Sequence, residues 1–89
     1  MSWRINFSVD SVKFMQQNNV EEGFIFDKIS MVVRKFKGER VNIDVKKLSG
    51  EWEGFYRIRV GKMRIIIDLK FSNRFAYVER IDWRGNVYK

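Results

Sequence analysis

The sequence predicts an α+β domain, a small twisted and mainly antiparallel sheet with two N-terminal helices packed on one face. Three observations predict it. Apolar residues recur at helical spacing between Val9 and Gly38, they alternate with period two from Phe55 to Trp83, and one short alternating segment precedes the helices. A chain of 89 residues suffices for one small core and is too short for two, so residues 1–89 are expected to form a single domain.

Trp3 to Ser8 sets Trp3, Ile5 and Phe7 against Arg4 and Asn6 and reads as the first strand. Ser8 suits the N-cap of a short helix from Val9 to about Asn18, with Val9, Val12 and Met15 or Gln16 on its inner face. Asn19 is expected to cap a second helix beginning at Val20. Glu21 and Glu22 suit that helix's positive end, and Arg34, Lys35 and Lys37 its negative end. Its stripe of Ile25, Ile29, Val32, Val33 and Phe36 should face the core, and Gly38 should stop it. Glu39 to Gly54 is the least periodic part. Although Val41, Ile43 and Val45 alternate, the segment reads as a loop.

Phe55–Val60 and Met63–Leu69 read as two strands joined at Gly61-Lys62. That loop sets Val60 opposite Met63, Arg59 opposite Arg64, Ile58 opposite Ile65 and Tyr56 opposite Ile67. Tyr56, Ile58, Val60, Met63, Ile65, Ile67 and Leu69 then share the core face, and Arg57, Arg59 and Arg64 share the other. Like charges placed opposite one another destabilise a strand pair. The hairpin therefore looks like half of an anion site. Ser72-Asn73 makes a turn into a last strand, Phe75 to Trp83. Strict alternation there puts Phe75, Tyr77, Ile81 and Trp83 on one side and Arg74, Val78, Arg80, Asp82 and Arg84 on the other, a poorly sorted pair of faces.

Composition narrows the chemistry. The chain has no cysteine and no histidine, which removes disulfides, thiolate or imidazole metal sites and Ser-His-Asp or Cys-His catalysis. No metal or cofactor is expected. Glu51 and Glu53 lie in the loop at a spacing that suits solvation better than acid-base work. No apolar run approaches the roughly 18 residues of a membrane span, and Met1-Ser2-Trp3-Arg4 does not open a secretory signal, so a cytoplasmic protein is expected. The net charge of +7 is uneven, because residues 1–45 carry 7 basic and 6 acidic side chains and residues 46–89 carry 11 and 5. Such a field suits a nucleic acid or an acidic protein partner. The alternative is a solvated basic surface, with the arginines paired to Asp68, Glu79 or Asp82.

Several segments carry a resemblance. Lys47-Leu48-x-Gly50, the strand Tyr56-Arg57-Ile58-Arg59, the Val60-Gly61 turn, Arg64 one strand later and the ending Arg84-Gly85-Asn86-Val87-Tyr88 together resemble the RelE/ParE superfamily of type II toxins, the RelE-like branch more than the ParE branch. The resemblance implies a catalytic set of Arg57, Arg59, Arg64, Arg84 and Tyr88 on the concave face of the sheet. Arg57 and Arg59 would bind phosphate, Arg64 would stabilise the transition state, Arg84 takes its place from the Arg-x-x-Val-Tyr spacing, and Tyr88 would stack on a base. Lys47, Lys62 and Arg80 are further candidate phosphate contacts.

The implied activity is ribosome-dependent cleavage of mRNA in the A site. The implied partners are the ribosome, mRNA and an acidic RelB-like antitoxin, with a monomer when free and a hetero-oligomer with the antitoxin. A surplus of apolar side chains among Trp3, Phe14, Phe24, Phe26, Met31 and Trp83 would suit such a partner helix.

Chemistry supports the assignment independently. When the neighbouring 2′-OH attacks its own phosphate, the enzyme supplies orientation and charge neutralisation, and arginine's planar fork grips two phosphate oxygens. Arginine serves poorly as a base, since its pKa lies above about 12. Where family members with a strong base place lysine, this chain has Arg57 and Arg59. A gyrase inhibitor of the ParE type, or a homologue that only binds, is the alternative.

Overall fold

The computed structural model describes residues 2–87. In chain order the elements are β1 (Arg4–Phe7), α1 (Val9–Gln17), α2 (Glu22–Phe36), β2 (Asp44–Lys47), a 3₁₀ turn (Gly50–Trp52), β3 (Tyr56–Val60), β4 (Met63–Lys70) and β5 (Phe75–Trp83). The five strands lie in the order β1-β5-β4-β3-β2. Neighbours among β2, β3, β4 and β5 run antiparallel, and β1 joins the far edge parallel to β5. Both helices pack on one face, where Phe14 and Met15 of α1 and Ile25, Ile29, Val32 and Val33 of α2 join Ile58, Ile65, Ile67, Val78 and Ile81 in one core.

Ser8 caps α1 as expected. Its Oγ accepts from the Ser11 N–H at 3.1 Å and donates to the Glu79 carbonyl at 2.7 Å, while the buried Ser11 Oγ donates to the Val78 carbonyl at 3.1 Å. The cap thus also pins α1 to β5. Ser8→Ala is expected to cost about 1–2 kcal/mol, because a capping acceptor and a tertiary donor go together, and to lower the melting temperature by roughly 5–15 °C in a circular dichroism melt. The inner face of α1 is Ser11, Phe14 and Met15, whereas Val9, expected inside, is 71% exposed. Val9 sits in the first turn, on the side of the helix turned away from the sheet.

Asn19 does not cap α2. It takes a left-handed φ of 54°, and the Val20 N–H returns to the Met15 carbonyl at 2.9 Å, a Schellman closure of α1. The second helix consequently starts at Glu22, two residues later than expected. Its stripe is buried except for Phe36, which is 43% exposed and packs instead against Tyr56 and Phe71 with ring centroids 5.3 and 5.7 Å away.

The expected loop at Glu39 to Gly54 contains β2, which pairs with β3 through Asp44↔Arg59, Val45↔Ile58, Lys46↔Arg57 and Lys47↔Tyr56. Only Val45 of this four-residue strand is partly buried, so its place in the sheet comes from backbone pairing and hardly from apolar pattern. The hairpin register matches the sequence reading at every pair named there. Gly61 holds φ at 58°, the conformation required at the first corner of a two-residue II′ turn.

The poor sorting of the last strand has a physical cause. Ile66 faces Arg80 while Ile67 faces Val78, which leaves Glu79 without a partner in a β-bulge. Parity changes at that residue. Ala76 and Val78 before it and Ile81 after it all reach the helix side, while Phe75 and Tyr77 turn to the opposite face with Arg80 and Asp82.

Candidate functional site: an arginine face on the open side of the sheet

On the side away from the helices, β3 contributes Arg57 and Arg59, β4 contributes Arg64 and Ile66, and β2 contributes Asp44. Arg59 stands opposite both Asp44 and Arg64. The Arg84 N–H donates to the Lys62 carbonyl at 2.7 Å, extending the β4–β5 pairing past Trp83 and bringing Arg84 beside the hairpin turn. Gly85, with φ at 89°, then turns the chain back, and Val87 is buried. Ile66 is also fully buried yet lies outside the helix-side core, so it provides an apolar floor between the arginines of β3 and β5.

Arg64 departs from the expectation of an open surface residue, being only 8% exposed. Its Nη1 donates to the Gly61 carbonyl at 2.7 Å and to the Met63 carbonyl at 3.1 Å, which fixes the guanidinium against the turn. Among the described residues, Nε and Nη2 have no protein acceptor and no carboxylate lies within ion-pair distance of Arg64. Burial first, then the charges of Arg59, Arg57 and Arg84, hold its pKa below the ordinary arginine value, with Asp44 opposing. Burial and the three neighbouring guanidinium charges each disfavour the unpaired cation. An anion placed among the four guanidinium groups relieves them together.

Asp44 is the partner that sequence reasoning missed. Its Oδ1 accepts from Arg57 Nη2 at 2.9 Å and its Oδ2 lies 3.9 Å from Arg59 Nε. The alternation of Val41, Ile43 and Val45 held the signal, since it places Asp44 on the opposite side from Val45, but the segment read as a loop. The acidic residues expected as partners are engaged elsewhere or unengaged. Asp68 pairs with Lys70 at 3.5 Å, Asp82 accepts from the Trp83 N–H at 2.7 Å, and Glu79 occupies the bulge. Among the described residues, one carboxylate therefore pairs with two of the four arginines and none pairs with Arg64 or Arg84. Among the described residues, Arg57 Nε is buried with no hydrogen-bond partner, a state that costs about 1–3 kcal/mol and is relieved by any acceptor reaching it.

The other candidates are dispersed. Lys62 projects from the hairpin turn and is exposed. Arg80 shares the arginine face by register but also lines a cavity with Asp10, Lys13 and Gln17 of α1. Lys47 pairs with Tyr56 and lies on the helix side, lining a cavity of about 560 Å³ with Phe36, Val45, Tyr56 and Phe71. The sheet separates it from the arginines. Tyr88 lies outside the described residues. Of the apolar surplus, Phe24, Phe26 and Trp83 are exposed, joined by Phe36 and Phe71, whereas Phe14 is buried and Trp3 and Met31 pack partly against the core. No described helix is long and apolar enough to cross a membrane, and no group of three or more potential metal ligands occurs among the described residues.

The sequence matches no protein-family model and no curated protein. Solved structures do match it. A chain of the archaeal RelE-RelB complex from Pyrococcus horikoshii OT3 is similar over 98% of this chain and 100% of that one, with 23% identity and a TM-score of 0.63. A chain of the E. coli DinJ-YafQ toxin-antitoxin complex matches over 93% of both chains with 15% identity and a TM-score of 0.61. The RelB-RelE antitoxin-toxin complex from Methanococcus jannaschii matches with 25% identity over 92% of this chain and 93% of that one, with a TM-score of 0.56. Two helices packed on a five-stranded mixed sheet, in a chain that spans nearly all of each of these matches, are the fold of the RelE/ParE-like toxins.

Proposed function

We propose that the protein is the toxin of a type II toxin-antitoxin pair and stops translation by cutting mRNA in the ribosomal A site. The observation that carries this reading is the convergence of Arg57, Arg59 and Arg84 on the buried Arg64, which has no carboxylate partner among the described residues, all four held by strands or by the strand end and not by a mobile loop. Such a cluster is built for a phosphodiester. In the proposed reaction the ribose 2′-OH gives its proton to water as its oxygen bonds to phosphorus, the bond from phosphorus to the 5′-oxygen breaks and that oxygen takes a proton from water, and the products are a 2′,3′-cyclic phosphate and a 5′-hydroxyl end. Arg57 and Arg59 hold the phosphate, and Arg64 stabilises the charge that builds on its oxygens.

The chain has no histidine to take the 2′-proton, and the β2 lysine that register brings to this face, Lys46 opposite Arg57, is exposed, so the ribosome supplies the alignment that a strong buried base would otherwise make unnecessary. An acidic antitoxin suits both the net charge of +7 and the exposed aromatic rings of Phe24, Phe26, Phe36, Phe71 and Trp83. The test is a cell-free translation extract programmed with one mRNA. Added protein should stop synthesis, and primer extension should show new 5′ ends within the translated region only when ribosomes are engaged. Intact mRNA together with inhibition of DNA gyrase in a supercoiling assay would overturn the reading in favour of the ParE-type activity.

A further inference from the structure

We infer that Asp44 is an internal stand-in for the substrate phosphate, holding Arg57 and Arg59 as a paired cradle until a phosphodiester takes its place. The inference rests on the nucleic-acid reading above and goes beyond it by naming what the substrate displaces. Asp44 lies on β2, an edge strand of four residues, with its side chain half exposed, so it can swing into water without disturbing the core. It is the single described carboxylate within ion-pair distance of Arg57 or Arg59.

Its grip on the cluster is incomplete. Arg57 gives Asp44 only Nη2, while Nε, on the same edge of the guanidinium, is buried without a partner among the described residues. Arg59 is reached only at 3.9 Å. A phosphodiester has two non-bridging oxygens whose spacing matches the Nε–Nη2 edge, so it can satisfy both donors where Asp44 satisfies one. Asp44 carries the charge a ligand would bring, in the place a ligand would take. It also lowers the free cluster's self-repulsion, which keeps the arginines together in the empty site.

A residue that merely supports the arginines and a residue that competes with substrate predict opposite signs. Asp44→Asn keeps the size of the side chain and an oxygen for Arg57 Nη2 but removes the competing charge. Binding should be followed by fluorescence anisotropy with a short 2′-O-methyl RNA, which cannot undergo 2′-attack, over a series of KCl concentrations. Asp44→Asn is expected to bind about three- to tenfold more tightly than the parent chain and to show a steeper salt dependence, since more arginine charge is free to release counterions. Asp68→Asn removes the same charge from the same face at a site paired to Lys70, and should change affinity by less than about twofold.

If the parent binds RNA through Arg59, as shown by loss of binding in Arg59→Ala, and Asp44→Asn binds equally or more weakly, Asp44 is a support and the inference fails while the nucleic-acid reading stands. An equal gain from Asp68→Asn also overturns it, because net charge alone would then explain the effect. If neither the parent nor Asp44→Asn binds RNA at any salt concentration, the inference fails, and the ribosome-dependent reading is decided separately by the translation extract.

Discussion

Arg64→Ala is expected to lower the potency of the protein in a cell-free translation extract by on the order of a hundredfold, the loss of about 3 kcal/mol that follows removal of one preorganised donor to a developing oxyanion. Arg64 is the best placed of the four arginines for that role. The Gly61 and Met63 carbonyls hold its Nη1, and its other donors have no acceptor among the described residues, so little reorganisation is required as charge develops. Arg84→Ala should show a loss of similar size, because its backbone bond to Lys62 brings it to the same end of the cluster.

Arg4→Ala should leave potency unchanged. Arg4 lies on the same face but on β1, with β5 between it and β4, and its guanidinium sits 5.9 Å from the centroid of the Phe75 ring. Because Arg64 is buried, Arg64→Ala also loses two hydrogen bonds and should cost about 1–2 kcal/mol of stability. Arg64→Lys separates the two effects. It can still bond the Gly61 carbonyl and should melt close to the parent, yet it lacks the fork and should lose at least about tenfold in potency. Should Arg64→Ala and Arg84→Ala both stay folded and inhibit translation as fully as the parent chain, the assignment of the site is wrong.

Ile65→Ala is expected to be the most damaging single truncation for stability, at about 2–5 kcal/mol. Ile65 is fully buried in the middle of the central strand β4, directly between Ile58 of β3 and Ile81 of β5. Its neighbours belong to three hydrogen-bonded strands and cannot close over the cavity without breaking the ladder. A domain of this size has a total stability of roughly 5–13 kcal/mol, so the loss is a large fraction of the whole. The melting temperature should fall by at least about 10 °C, measured by calorimetry or circular dichroism. A fall of less than about 3 °C would show that the core in this region is loosely packed.

The parts of this protein that were legible in the sequence are those where one local pattern determines the answer. Helical spacing specified the buried face of α2 at Ile25, Ile29, Val32 and Val33. Alternation and a glycine at the turn specified the β3–β4 register down to Arg59 opposite Arg64, because a slip of one residue would have put arginines into the core. The same register indicated an arginine face, whereas Arg84 was placed near it only by the resemblance of the chain's ending to that of RelE-like toxins.

Tertiary structure decided what no local pattern encodes. β2 is a strand because β3 offers it an unpaired edge, and its own side chains are mostly exposed. Asp44 therefore became visible as the counter-ion of Arg57 and Arg59 only once that pairing was in place. The bulge at Glu79 reversed the facing of β5 through a mismatch with β4 that neither strand reveals alone. Lys47 and Arg64 show the same division most plainly. Both are basic residues of the hairpin region, yet Lys47 is turned to the helix side by its pairing with Tyr56, and Arg64 is buried by the turn that it bonds. Charge and periodicity along a chain specify which side chains are available. Which of them share a face, and which are desolvated there, depends on contacts between segments distant in sequence, and those exist only after the sheet has closed.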